Sequence, residues 1–429
     1  MYRPELHFTP EAGWMNDPNG LVYENGRYHL FYQYYPDDVV WGPMHWGHAI
    51  SRDLIHWEHL PIALYPDKNG LAYSGSAVRT NDSCEPDPEG RHLVLMYTSH
   101  GTYEQQSIAF SEAFTAEKPP VKFVPFEFNP VIQNQTLKDF RDPHLFENGW
   151  FGGWNAVLAA GDRALFTGSS NMINWGGSKP FGPFEMFSGC IWECPSIQDV
   201  DGKYVLIVSM GAVGTRPLGD GYYWIGNWNG RQFIPKTEPE RLDFARDDYA
   251  AVTYYGAPEP TLIGWASQWA YANQVPTGEE GFRSQMTLPR TLSLVETPAG
   301  LKLAQKPVDI APFAGTDWDP EHPYLLQLHE QGPFCVTLYN DEESVSFGLD
   351  ADNCLFMDRR GLKPALWSEE FDKEAYSFCR SPRFYTGVCD WTLTVDHSIV
   401  EVYADQGTRV GTMLIYPEKP LENIKIERP

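Results

Sequence analysis

Short apolar runs bounded by Gly, Asn, Asp and Pro dominate this chain, and helical periodicity is scarce, which predicts an all-β protein. A polar or glycine turn before a strand-like run keeps returning. It stands at Asn25-Gly26 before Tyr28-His29-Leu30-Phe31-Tyr32, and at Glu89-Gly90 before Leu93-Val94-Leu95-Met96-Tyr97. It stands again at Asn148-Gly149 before Trp150-Phe151-Gly152-Gly153-Trp154, and at Asp201-Gly202 before Tyr204-Val205-Leu206-Ile207-Val208. The last copy is Pro258-Glu259-Pro260 before Leu262-Ile263-Gly264-Trp265. The spacing is roughly 50 to 65 residues, the size of a four-stranded propeller blade with its loops. A second echo links Ser51-Arg52-Asp53-Leu54-Ile55-His56-Trp57, Ser169-Ser170-Asn171-Met172-Ile173-Asn174-Trp175 and Asn227-Trp228-Asn229-Gly230-Arg231-Gln232-Phe233, which read as turns between outer strands. The units predict a five-bladed β-propeller over residues 1–305. A two-sheet sandwich would also give many short strands, but not this regular echo.

The pattern breaks at residues 306–323, a Pro- and Asp-rich linker ending in Asp317-Trp318-Asp319-Pro320-Glu321-His322-Pro323. Beyond it, residues 324–429 alternate in short strands and predict a C-terminal β-sandwich. Trp391–Asp396 and Ile399–Tyr403 flank a short turn, as in a hairpin.

Candidate chemistry begins at Trp14-Met15-Asn16-Asp17-Pro18-Asn19-Gly20. Alone, this is a turn, because Pro fixes φ and Asn-Gly tolerates positive φ. Aligned on their inner turns, however, the units put Asp17, Asp142 and Glu193 near the start of the first strand of three blades. That strand lines the central channel of a propeller, so the three carboxylates are expected to meet at one mouth of it. Tyr73-Ser74-Gly75-Ser76 and Asp247-Asp248-Tyr249-Ala250 supply polar groups at the corresponding place in the other two. Clustered carboxylates suit glycoside chemistry: one protonates the leaving oxygen, the other attacks the anomeric carbon or activates water. Like charges at close range push one pKa upward and keep an acid protonated near neutral pH.

Composition narrows the partners. Asp plus Glu (57) exceed Lys plus Arg (32), for a formal charge of −25. Such a surface repels phosphate backbones, so neither nucleic acid nor an anionic membrane is an expected partner. The 15 Trp, 23 Tyr and 24 Phe fit both β-structure and sugar-stacking faces. The first residues hold no apolar core of signal-peptide length, and the seven Cys show no pairing pattern; both point to reduced thiols and a cytoplasmic location. His45-x-x-His48 and His56-x-x-His59 lack the Cys partners or the His-Glu-x-x-His frame of metal sites, so no metal or other cofactor is expected.

At Trp14 to Gly20, Phe140-Arg141-Asp142-Pro143 and Glu193-Cys194-Pro195 the chain closely resembles the retaining β-fructosidases of glycoside hydrolase family 32: invertases, exo-inulinases, levanases and sucrose-6-phosphate hydrolases. The resemblance extends through Phe31-Tyr32-Gln33, Trp41 to His48, Tyr73 to Ser76, Gly264-Trp265 and Leu288-Pro289-Arg290. It implies that Asp17 is the nucleophile, Glu193 the general acid and then base, and Asp142 a group that holds fructose hydroxyls and stabilises the transition state, with Arg141 beside it. It implies that Asn16, Gln33, Trp41, Ser74 and Trp265 line the fructose pocket. The implied activity is exo-acting removal of terminal β-D-fructofuranosyl units from a small fructoside such as sucrose or a fructo-oligosaccharide. Tyr34-Tyr35-Pro36 and Tyr73 depart from the common family pattern near the pocket rim, where the leaving group binds. A fructosyltransferase using the same intermediate and a non-catalytic sugar-binding propeller stay open as alternatives, and the sandwich offers surface for an oligomer contact.

Overall fold

The computed structural model describes residues 1–80, 92–115, 117–147, 153–211 and 219–428. Five antiparallel sheets follow one another through Pro307, each built mainly from one contiguous stretch of chain. The first blade holds strands Gly13–Glu24, Arg27–Tyr35, His45–Ser51 and Trp57–Leu64. The other blades open on Leu71–Arg79, Phe140–Glu147, Ile191–Val200 and Tyr249–Thr253. Each opening strand touches the next and the last touches the first, so they ring a central channel.

Two of the repeated turns share one geometry. Asn25-Gly26 (φ +52° and +74°) and Asp201-Gly202 (φ +52° and +76°) are both left-handed pairs, the form that matches the twist of a tight hairpin. Glu89-Gly90, Asn148-Gly149 and Trp150 to Gly152 lie outside the described residues. In the outer turns one side chain repeatedly accepts the amide N–H two and three residues ahead. Asp53 takes Ile55 and His56, Asn171 takes Ile173 and Asn174, and Asn229 takes Arg231 and Gln232.

The ring closes through the backbone. Phe282–Arg283, from the last blade, pairs in parallel with Gly13 and Trp14. On the same seam Tyr23 N–H donates to the Tyr255 carbonyl, and Tyr255 N–H to that of Leu21, both at 2.9 Å.

From Tyr324 onward two sheets pack face to face. One holds Tyr324–Glu330, Cys389–Asp396, Ile399–Ala404 and Arg409–Leu414; the other holds Phe378–Pro382, Cys354–Gly361, Ser344–Leu349, Phe334–Tyr339 and Asn423–Glu427. Phe347, Leu355, Met357, Trp391, Leu393 and Val402 are among the side chains filling the space between them. Phe244 of the propeller enters the same core. The intervening residues, Val308 to Pro323, carry no strand but are pinned: Ile310 is buried with Leu6, Ile55 and Leu288, and the Trp318 indole N–H donates to the Leu421 carbonyl.

Buried charges cross the domain seam. Arg290 of the last blade donates to Asp248 (2.9 Å), Glu401 (2.9 Å) and Thr412 (2.6 Å). Arg359 of the sandwich donates to Asp247 at 2.8 Å. His7 meets Asp396 at 2.8 Å, and Glu401 lies 3.8 Å from its other ring nitrogen. Asp247 and Asp248 therefore turn away from the channel. Asp247 grips Arg359 of the sandwich, and Asp248 grips Arg290 of its own blade, which reaches across to Glu401 and Thr412, so neither acid is left for a sugar hydroxyl. Leu288-Pro289-Arg290 likewise belongs to this seam.

Candidate active site

Every opening strand carries a break in ladder register at the same mouth of the channel. The breaks fall between Met15 and Pro18, Tyr73 and Gly75, Arg141 and His144, Glu193 and Ser196, and Tyr249 and Val252. Such bulges bend the strand and re-aim its side chains. Three of them hold a non-glycine residue at positive φ: Asp142 (+60°), Cys194 (+46°) and Ala250 (+53°). That backbone costs on the order of 1 kcal/mol or more per residue and persists where the surroundings enforce it.

The register corrects the expected equivalence of the three acids. Asp17 and Asp142 stand inside their bulges. Glu193 stands just before its own, level with Arg141, Tyr73 and Tyr249. Cys194 and Ala250 are the counterparts of Asp142. The longer glutamate side chain brings its carboxyl into the same cavity from the neighbouring position.

That cavity has a volume of about 400 Å³ and holds Asp17, Asp142 and Glu193 together with Asn16, Gln33, Trp41, Ser74 and Arg141. Asn16, Gln33, Ser74 and Asp142 are buried and form its floor. Below them the channel narrows to a separate void of about 10 Å³ lined by Pro18, Pro143, Pro195 and Val252, room for about one water. Trp41 and Trp269, 41% and 37% exposed, stand at the rim.

Hydrogen bonds fix the acids. Ser74 Oγ donates to Asp17 Oδ2 at 2.7 Å and Asn16 Nδ2 to Oδ1 at 2.9 Å. The Trp14 indole N–H holds Asn16 in turn, at 2.8 Å. Gln33 Nε2 donates to Asn19 Oδ1 at 2.7 Å and to the Ala72 carbonyl at 3.0 Å. Arg141 Nη2 donates to Glu193 Oε1 at 3.0 Å, and the Tyr249 hydroxyl donates to Glu193 Oε2. Asp142 accepts the Cys194 N–H at 2.9 Å. The Cys194 thiol lies 3.4 Å from Asp17 Oδ2 and 3.6 Å from Asp142 Oδ2, so one small buried side chain touches both acids.

The Asp142 carboxyl is raised. Burial pushes it up to about 7, Glu193 and Asp17 add repulsion, and Arg141 and the Cys194 N–H pull the other way. Burial likewise pushes the Cys194 thiol well above its usual range, which leaves it a packing group and not a thiolate. Burial opposes the charge on Arg141, but Glu193, Asp142 and Glu104 overcome this and hold it firmly protonated.

Trp265 is the site residue that the structure moves elsewhere. It is 0% exposed, on a central strand, packed against Trp14 and Trp269. Trp269, in the loop after that strand, faces the cavity and stacks on Trp14 at 6.1 Å between centroids. Four further residues at the site lay outside the sequence expectation: His100, Glu104, Asp139 and Trp269. Tyr249, which the sequence offers only as one of several polar groups, donates to Glu193. The paired histidines serve structure: His48 Nε2 lies 3.0 Å from His29 Nδ1 in the first blade, and His56 pairs with Asp53.

The chain matches the glycosyl hydrolases family 32 N-terminal domain over residues 7–307 and the glycosyl hydrolases family 32 C-terminal domain over residues 305–428. It is 37% identical to a levanase of Bacillus subtilis (strain 168), over 99% of this chain and 68% of the levanase. It is 34% identical to a sucrose-6-phosphate hydrolase of Zymomonas mobilis, over 97% of this chain and 87% of that protein. Its fold superposes on an exo-inulinase of Aspergillus awamori with a TM-score of 0.84 at 29% identity, covering 99% of this chain and 95% of that one. A β-fructofuranosidase of Schwanniomyces occidentalis complexed with fructosyl-erythritol gives 0.85 at 27% identity, over 99% and 94%. With an all-β propeller and sandwich, and both family domains end to end, the chain belongs to glycosyl hydrolase family 32 and is a retaining β-fructosidase.

Proposed function

We propose that the enzyme removes terminal β-D-fructofuranosyl residues from sucrose or fructo-oligosaccharides, with Asp17 as nucleophile and Glu193 as acid and base. The observation that carries this reading is the meeting of Asp17 and Glu193 in one cavity, each carboxylate held on both oxygens by neighbours that fix its direction. In the first step an Asp17 oxygen bonds to the anomeric carbon of fructose while the bond from that carbon to the bridging oxygen breaks. Glu193 gives its proton to the departing oxygen. In the second step Glu193, now a carboxylate, takes a proton from water. The water oxygen then bonds to the anomeric carbon and the ester to Asp17 breaks. Two inversions return the starting configuration. Arg141 and Tyr249 hold Glu193 in place through both halves.

Asp142 fits the role of a hydroxyl ligand. Its carboxyl is buried on the floor and titrates near neutrality, so it can both accept and donate hydrogen bonds to a sugar. The narrow floor supports exo action, because it admits one terminal ring and stops the chain there. Incubation with sucrose is expected to release equimolar glucose and fructose, the fructose first appearing as the β-furanose. Inverted product, or longer fructosyl sugars as the dominant product, would contradict hydrolysis by this route.

A further inference from the structure

The pocket has a charge pattern that bears on its leaving group. Substrate enters fructose first, so the other half of the molecule rests near the more open wall: Trp41, Tyr73, His100, Glu104, Asp139 and Trp269. Tyr73 and His100 stack face to face at 4.1 Å, with planes 7° apart. His100 Nδ1 lies 3.3 Å from Glu104. The cavity as a whole holds five carboxyl groups, those of Asp17, Glu104, Asp139, Asp142 and Glu193. Against them stands one guanidinium, and its donors are already engaged. Arg141 Nη1 serves Asp139 at 2.8 Å and Glu104 at 3.1 Å, Nη2 serves Glu193 at 3.0 Å, and Nε lies 3.9 Å from Asp142. Among the described residues no lysine and no other arginine lines this cavity.

We propose that this wall selects uncharged glycosyl leaving groups and discriminates against phosphorylated ones, with Glu104 and Asp139 as specificity-determining residues that occupy Arg141. The proposal rests on the fructosidase reading of the pocket and settles which half of the family's chemistry it serves. A phosphate dianion needs fresh cationic donors to replace its water, as in a bidentate arginine contact. Here it meets repulsion from rim carboxylates and a guanidinium that would have to leave its own partners. Trp41 and Trp269 offer what a neutral sugar needs instead, apolar faces for ring packing. With low-dielectric walls focusing the field, repulsion of a dianion by the uncompensated carboxylates is worth about tenfold or more in capture.

The test compares kcat/KM for sucrose and for sucrose 6-phosphate, phosphorylated on the glucosyl half, across a salt series. Sucrose is expected to be favoured about tenfold or more at low ionic strength, the gap narrowing as salt screens the rim. Asp139→Asn, at a partly exposed rim position, should narrow the gap by raising the relative rate on the phosphorylated sugar, and Glu104→Gln should do the same. Equal or faster turnover of sucrose 6-phosphate overturns the proposal. So does a preference for sucrose that neither salt nor the two substitutions move. Failure on both substrates refutes instead the fructosidase reading beneath it.

Discussion

Arg290→Met tests how the two domains are held together. The side chain is fully buried and donates to Asp248, Gln305, Glu401 and Thr412, with Asp243 3.6 Å away. Methionine fills similar volume but leaves Asp243 and Asp248 buried without their cation and Glu401 with only His7, 3.8 Å away. Removing one partner of a buried pair costs about 3–5 kcal/mol. The penalty depends on pH in a definite direction. Burial raises the Asp248 carboxyl to about 7 against the pull of Arg290, while Asp243 and Glu401 push the same way as burial. The native state thus binds more protons than the unfolded chain between the ordinary aspartate value and about 7, and stability falls as pH rises through that window. Without Arg290 the native carboxyls hold protons still more tightly, so the variant falls more steeply. Denaturant unfolding followed by tryptophan fluorescence, at about pH 5.5 and about pH 7.5, should show the smaller loss at the lower pH. A loss below about 1 kcal/mol, or one equal at both pH values, would refute the reasoning.

Three other outcomes are expected. Trp269→Ala should raise KM severalfold with the fold intact. Trp265→Ala should cost about 3–5 kcal/mol of stability, which unfolding curves and steady-state kinetics separate. Burial lowers His29 to about 4 and holds His48 well below its usual value, so both enter the fold neutral. Because the unfolded chain binds their protons from about pH 6.5 downward, this part of the stability is complete above that value and is lost as pH falls toward about 4. A thermal-unfolding series over that range should show a shallower slope for His48→Gln.

The blades and their order were legible because a turn before a strand-like run returns along the sequence, with Asn25-Gly26 and Asp201-Gly202 both taking the positive φ that such a pair tolerates. The meeting of Asp17, Asp142 and Glu193 followed from the same echo. Their offset was also written in the chain. Pro143 and Pro195 hold equivalent bulge positions, so Asp142-Pro143 aligns with Cys194-Pro195, and Glu193 falls just before it. Proline, lacking an N–H, sits where the ladder is interrupted. What stayed hidden depends on partners distant in sequence. Trp265 and Trp269 are both plausible sugar platforms until the fold covers the first and leaves the second at the rim. Asp247 and Asp248 look like hydroxyl ligands until Arg359 and Arg290 are seen to claim them. Glu104 and Asp139 belong to no repeat, and only their shared grip on Arg141 places them in the pocket.

The central assignment is that Asp17 forms a covalent bond to fructose. Glu193→Gln keeps the nucleophile and removes the base that frees it. Incubated with a fructosyl donor whose leaving group needs no protonation, quenched in acid and digested, this variant should yield the peptide containing Asp17 heavier by one fructosyl unit. The same treatment of Glu193→Gln combined with Asp17→Asn should yield none. An adduct on another residue, or turnover by direct displacement with inverted configuration, would contradict the assignment.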